Sequence, residues 1–138
     1  AESMNEIDER RPGQRHALLM AKSVNFVDIA GAEWLAHEAR RRRAAGGRFW
    51  FCGLREGAGA VLGKRDFRPS FGPGAFHASK RDAIARIVGE LDPAECAKCR
   101  ARVFDECRRR PGPPAPSGEA ATGRAGAAAP AAIGVANA

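Results

Sequence analysis

No apolar run in this chain approaches the ~20 residues needed to cross a bilayer. The longest in the first 110 residues, Ala17-Leu18-Leu19-Met20-Ala21, has five. The chain also lacks a secretory leader pattern, because Glu2, Glu6, Asp8 and Glu9 occupy its first turns. There is no P-loop, no Gly-rich dinucleotide motif and no catalytic-triad signature, and the glycines between Gly57 and Gly63 lack the Lys-Ser/Thr ending of a phosphate cradle. Asp28, His37 and Glu38 are of the right types for acid–base chemistry, but no nucleophile accompanies them at a readable spacing. From Pro111 to Ala138 there is no aromatic residue, and Ile133 and Val135 are the only larger aliphatics. Such a stretch buries too little apolar surface to offset its ordering entropy, so residues 111–138 read as a disordered tail.

What is present is a single domain's length of sequence with an excess of positive charge, +7 formally over 138 residues. The excess is localised: between Arg40 and Arg68 nine Arg or Lys residues face only Glu56 and Asp66. A basic surface of this kind contacts nucleic acid, anionic lipid or an acidic partner. The plainer reading is a solvated helix end and loop, since Arg40 to Arg43 close a predicted helix, where cations meet the negative end of the dipole. No aromatic residues interleave with this arginine run, as a single-strand stacking platform requires, and no nucleic-acid partner is expected.

Hydrophobic periodicity places the elements. Residues 2–10 read as a short polar helix with Met4 and Ile7 on one side, stopped by Arg11-Pro12-Gly13. The run Ala17–Ala21 reads as a strand covered on both faces, and Val24–Val27 as a further apolar extended segment. Asp28 is the expected N-cap of a helix in which Ala32, Leu35, Ala36 and Ala39 form the inward stripe, ended by Gly46-Gly47. A strand over Arg48–Cys52 and a short helix around Glu56–Lys64 follow. A Pro- and Gly-rich loop over Phe67–Gly74 then leads to a short strand at Ala75–His77. A helix capped by Ser79 directs Ile84, Ile87 and Val88 inward. Strands alternating with helices predict an α/β layer structure with helices packed on a sheet. Leu19, Leu35, Phe51 and Ile84 are expected to share one apolar core, and Trp34 and Trp50 are read as packing residues.

The succession Val24-Asn25-Phe26-Val27-Asp28-Ile29-Ala30-Gly31-Ala32-Glu33, then Phe49-Trp50-Phe51, then Ala75-Phe76-His77-Ala78-Ser79-Lys80, resembles the STAS domain shared by sulfate transporters and anti-sigma-factor antagonists. The ending Leu91-Asp92-Pro93-Ala94-Glu95-Cys96-Ala97-Lys98-Cys99, continuing to Phe104-Asp105-Glu106-Cys107, is similar to the extension after that domain in bacterial SulP-type anion permeases. The resemblance covers roughly residues 2–109. It divides the chain into a STAS domain at 1–91, a Cys-containing helical extension at 92–110 and the tail at 111–138. STAS domains open with a pair of strands before their first helix, so the resemblance implies a fragment lacking its N-terminal strands, with one side of the central strand open.

The resemblance further implies a non-catalytic regulatory domain, without a cofactor, on the cytoplasmic face of the bacterial inner membrane. Its partner would be the membrane domain of the same sulfate or bicarbonate-type permease, with dimer formation in the intact transporter and contact with cytosolic regulators. Two alternatives stand beside it: a free-standing STAS protein that binds an anti-sigma-type partner, and a metal- or redox-sensing module built on cysteines. The family turn maps the interaction residues to Asn25, Asp28 and Gly31. Kinase-regulated members carry a Ser or Thr directly after the aspartate; here Ile29 and Ala30 stand there, and neither has a hydroxyl to accept a phosphoryl group.

Four cysteines without an export pattern suggest reduced thiols. Cys96, Cys99 and Cys107 have C-x2-C-x7-C spacing, half of which suits a metal-ligand pair, but no fourth ligand follows. On one continuous helix, Cys96, Cys99, Val103 and Cys107 would instead share a face and pack, since free Cys behaves as a small hydrophobe. The substitution of the acceptor at the turn is directly testable. Incubation with a STAS-directed kinase should leave the peptide spanning residues 24–36 unmodified in mass spectra. Phosphate on Ser23 that alters partner binding would overturn the loss of switching.

Overall fold

The computed structural model describes residues 4–10, 13–114 and 133–137. The chain runs through α1 (Met4–Arg10), β1 (His16–Met20), α2 (Ile29–Ala44), β2 (Phe49–Cys52), α3 (Glu56–Leu62), α4 (Arg68–Phe71) and β3 (Phe76–His77). It continues through α5 (Lys80–Glu90), α6 (Pro93–Lys98), α7 (Asp105–Arg108) and β4 (Ile133–Asn137). The strands form one sheet in the order β3-β2-β1-β4, and every pairing is parallel. Ala17 lies opposite Phe49 and Leu19 opposite Phe51. The chain is therefore an α/β protein built on a parallel sheet, as its alternating pattern predicts.

The sheet divides the interior in two. Successive strand residues point to opposite faces. Ala17, Phe49 and Phe51 join Ala32, Leu35, Ala36 and Ala39 of α2, with Leu62 and Phe71, on one side. Leu18, Trp50 and Cys52 join Ala83, Ile84, Ile87 and Val88 of α5, with Cys96, on the other. The expectation of one shared core is corrected on this point. Leu35, Phe51 and, packed against them, Leu19 belong to the first cluster, whereas Ile84 belongs to the second, because the sheet lies between them. The N-caps are where the sequence places them: Asp28 Oδ1 accepts from Gly31 N at 2.7 Å and Ser79 Oγ from Asp82 N at 3.1 Å.

Four further expectations change. Val24–Val27 is irregular, not extended sheet, because the turn at Lys22-Ser23 follows β1 and Val24 N bonds back to Ala21 O. The loop at 67–74 contains the single turn α4, with Pro69 in its first turn, where a missing N–H costs nothing. The cysteine-bearing helix is broken: Cys99 caps α6, Arg102 takes a positive φ of 39°, and Cys107 lies on the separate α7. That break brings Phe104 and Cys107 back onto the second cluster, while Val103, assigned to the buried stripe, is 65% exposed. Finally, Ile133–Asn137, within the tail read as disordered, is a strand along β1 from His16 to Met20. The unpaired backbone groups on that edge of β1 supply the partner that local composition could not reveal. The expected Met4–Ile7 face of α1 involves side chains outside the described residues.

Of the arginine run Arg42 alone is buried, and the exposed Arg40, Arg41 and Arg43 reach back onto neighbouring elements. Arg42 is 3% exposed, and its Nε donates to Glu38 Oε1 at 2.6 Å and its Nη2 to Asp8 Oδ1 at 2.7 Å. Arg41 donates to both Glu38 oxygens and to Asp8, so the two arginines pin α1 against α2. Arg40 donates to Ser70 Oγ at 2.7 Å, and Arg43 to the Pro69 carbonyl at 3.1 Å. Arg48 lies 4.2 Å from the centre of the Trp50 ring and pairs with Glu90. Gly47 is required beside it: a Cβ there would fall 1.9 Å from the Arg15 carbonyl oxygen.

These buried groups set a pH dependence. Burial, with Arg48, Arg42 and Arg15 against an opposing Glu90, holds the His16 imidazole below its ordinary 6.5, and its Nδ1 accepts the Trp50 indole N–H at 3.3 Å. Burial alone would raise Asp8 and Glu38, but hydrogen bonds from Arg41 and Arg42 outweigh it and hold both carboxyls below their usual range. A depressed histidine contributes stability at neutral pH that falls away below 6.5, where the unfolded chain binds the proton first. The depressed carboxylates contribute above their unfolded values, and that stability is lost as pH falls further, through the folded values. Thermal melting should therefore decline in two steps on acidification, and His16→Asn, which keeps an acceptor for Trp50, should remove the upper step. A melting temperature in the native chain that stays level from about pH 7.5 to about pH 5 would refute the histidine assignment.

Candidate interaction surface

The C-terminal end of β1 opens into a turn that leads to α2. Val27, before the cap, and Ala32, four residues after it, lie in the same apolar cluster, an arrangement that fixes the angle at which the chain enters the helix. Asp28 itself is exposed, with one carboxylate oxygen on Gly31 N. Gly31 has little freedom to be larger, since a Cβ there would meet Asp28 Oδ1 at 3.0 Å. The turn is thus held from below by packing and from above by the cap.

Above it lies a cleft of about 450 Å³ with Leu19, Val24, Val27, Leu35, Phe51, Leu54 and Leu62 in its walls, and Phe26, Asp28, Gly31 and Trp34 at its side. Phe26 is 73% exposed, Ile29 52% and Trp34 49%. Among the described residues these are three of five large exposed hydrophobics; Phe26 and Trp34 line the cleft, and Ile29 stands exposed outside its lining. The position is also the one that open parallel sheets favour. From β1 the sheet grows to β2 and β3 on one side and to β4 on the other, so the cleft lies at the carboxyl end of the strand where the order reverses.

Of the sequence-predicted residues, Asp28 and Gly31 meet at this turn and line the cleft. Asn25 is exposed in the preceding loop, its carbonyl 3.3 Å from where a Gly57 Cβ would stand. Ile29 and Ala30, which the resemblance sets at acceptor positions, are exposed. Trp34 corrects its reading as a packing residue: it falls beside the Ala32-Leu35-Ala36-Ala39 stripe, and that offset was the signal for its exposure. Trp50, by contrast, is fully buried. Phe26 was not singled out; a large apolar residue two places before a helix cap, with the place between taken by buried Val27, was the available cue.

The acid–base candidates of the sequence do not meet at this cleft. Asp28 is the one titratable residue lining the cleft. Glu38 is buried on Arg41 and Arg42, and His37 is exposed on the polar side of α2, so the three acid–base candidates do not converge. A second cleft, of about 390 Å³ beside β3, has Arg68 and His77 in its lining but no carboxylate, hydroxyl or thiol side chain. Cys52, Cys96, Cys99 and Cys107 are free thiols, and among the described residues no group of three or more His, Cys, Asp or Glu is placed to hold a metal ion. Cys96 instead accepts from Arg110 Nη1 at 3.4 Å within the second core cluster. Among the described residues no helix is long and apolar enough to cross a membrane.

Comparison with protein-family models, with curated proteins and with solved structures gave no match.

If the patch is surface and not core, truncating it should be nearly silent for stability. Phe26→Ser and Trp34→Ala should each change unfolding free energy by no more than about 0.5 kcal/mol, whereas Leu35→Ala, at the cleft wall but buried, should cost about 2–5 kcal/mol. Urea denaturation followed by circular dichroism reads both. A Trp34→Ala loss as large as that of Leu35→Ala would place Trp34 in the core.

Proposed function

We propose that the chain is a non-catalytic interaction domain of the STAS type, acting at the cytoplasmic side of a SulP-type inorganic anion permease. Its role there is to couple the membrane domain to the cytoplasm through the face around Phe26, Asp28, Ile29 and Trp34. The observation that carries the reading is the coincidence of two features. The turn that the resemblance assigns to partner contact is also where the exposed aromatic and aliphatic residues gather beside a cleft. Large aromatics at an exposed, rigidly held turn have the composition of interface anchors. The hydroxyl-free Ile29-Ala30 pair favours a constitutive contact over one switched by phosphorylation.

The test is a domain exchange. Residues 26–110 replace the corresponding part of the STAS domain in a bacterial sulfate permease that keeps its own first strands. Sulfate uptake should be retained by the chimera and should fall to the level of the domain deletion when Phe26→Asp and Trp34→Asp are introduced together. A chimera that reaches the membrane in normal amount yet transports no better than the deletion would refute the reading.

A further inference from the structure

From the end of α6 we infer a modification site: Cys96 and Cys99 are a thiol pair that a low-molecular-weight disulfide closes reversibly into a Cys96–Cys99 disulfide. The inference goes beyond the docking reading and does not depend on it. The backbone sets the spacing. Cys99 N donates to Cys96 O at 3.2 Å and to Glu95 O at 3.1 Å, so the last turn of α6 closes on the pair. Cys99 has left the helix at ψ 118° but keeps a φ of -73°, and φ is the angle that orients a Cβ relative to the preceding turn. Its side chain therefore stays on the face of Cys96, as positions i and i+3 do. Cβ atoms at that spacing lie about 5–6 Å apart, and a disulfide needs about 3.5–4.5 Å. Closure tightens the turn by about 1 Å or more. A bond drawn against such strain is readily reduced, which is the property of regulatory disulfides and not of structural ones.

Exposure sets the order of events. Cys96 is 8% exposed within the cluster that holds Trp50 and the inward face of α5, whereas Cys99 is partly exposed at the end of the helix. An incoming disulfide therefore meets Cys99 first. The Cys99 thiolate attacks one sulfur of the small disulfide, forms a mixed disulfide and expels one small-molecule thiolate. Cys96 Sγ then attacks the Cys99 sulfur, forms the intramolecular bond and expels the second thiolate. The two protein thiols give up two protons and two electrons, and the small disulfide leaves as two thiols. Neither other cysteine shares this turn: Cys52 is buried in β2, and Cys107 lies on α7, beyond the break at Arg102. Cys96 Sγ is also the atom that accepts from Arg110 Nη1 at 3.4 Å, and the same nitrogen donates to the Val88 and Leu91 carbonyls. Closure thus draws on a sulfur that helps tie the end of the extension to α5.

The test treats the reduced full chain with glutathione disulfide, caps the remaining thiols with N-ethylmaleimide and maps the cysteines by mass spectrometry after trypsin. Trypsin cuts after Lys98, so the peptides carrying Cys96 and Cys99 stay joined only through their disulfide. The joined peptides should be the main product, and dithiothreitol should return both thiols. Cys96→Ala, which keeps a small apolar group in the second core cluster, should stop the reaction at a mixed disulfide on Cys99. Cys99→Ser should lose the cross-link and leave Cys96 without glutathione. Circular dichroism checks that each variant is folded, and where one is not, the linkage in the native chain decides. A bond from Cys99 to Cys107 or to a second chain overturns the inference. So does a lasting mixed disulfide on Cys99 of the native chain, or a Cys99 that is alkylated instead of oxidised.

Discussion

Along β1 and β2, alternate side chains leave the sheet in opposite directions, and almost everything else in the structure follows from that division. Ala17, Phe49 and Phe51 require helices on one side, and Leu18, Trp50 and Cys52 require them on the other. One face is met by α2, α3 and α4, which connect the strands directly. The other is met by α5 and by Cys96, with Phe104 and Cys107 packed against it, which arrive only after the chain has turned around the short β3 edge. The two faces differ in character. The first is closed by the small-residue stripe of α2, which lets the helix approach closely; the second is closed around one large residue, Trp50, which stacks near His16 and lies tilted against His77.

Electrostatics is subordinate to this packing and fixes its periphery. The chain's formal positive excess suggests a surface built to attract anions, yet Arg40, Arg41, Arg42, Arg43 and Arg48 are turned onto carboxylates, a hydroxyl and carbonyl oxygens of neighbouring elements. Guanidinium groups satisfy several acceptors at once, which makes them effective braces for segments such as 68–74, whose main apolar anchor is Phe71.

Much of this was legible where the information is local. The caps Asp28 and Ser79, the stripe Ala32-Leu35-Ala36-Ala39 and the glycine stop after α2 depend on residues within one or two turns, and each stands where the pattern puts it. The turn at Asp28–Gly31 was legible as a turn, with Asp28 and Gly31 in contact. Its apolar surroundings were not, because periodicity separates buried from unburied positions without saying whether exposed Phe26 and Trp34 converge. The cysteine stripe failed because a helical projection assumes an unbroken helix, and nothing in Cys99–Val103 announces the positive φ at Arg102. The single-core expectation failed because inward-facing strand positions alternate between two interiors once both faces of a sheet are covered.

The strand at Ile133–Asn137 was the least legible element, since parallel pairing with His16–Met20 joins segments more than a hundred positions apart. That pairing also imposes an order in time. A ribosome releases β1 more than a hundred residues before its neighbour β4. While α2, β2 and α5 can assemble on the emerging chain, one edge of β1 has no β4 to pair with until that later segment emerges. The nascent chain carries a waiting edge over that interval, and whatever occupies it competes directly with β4.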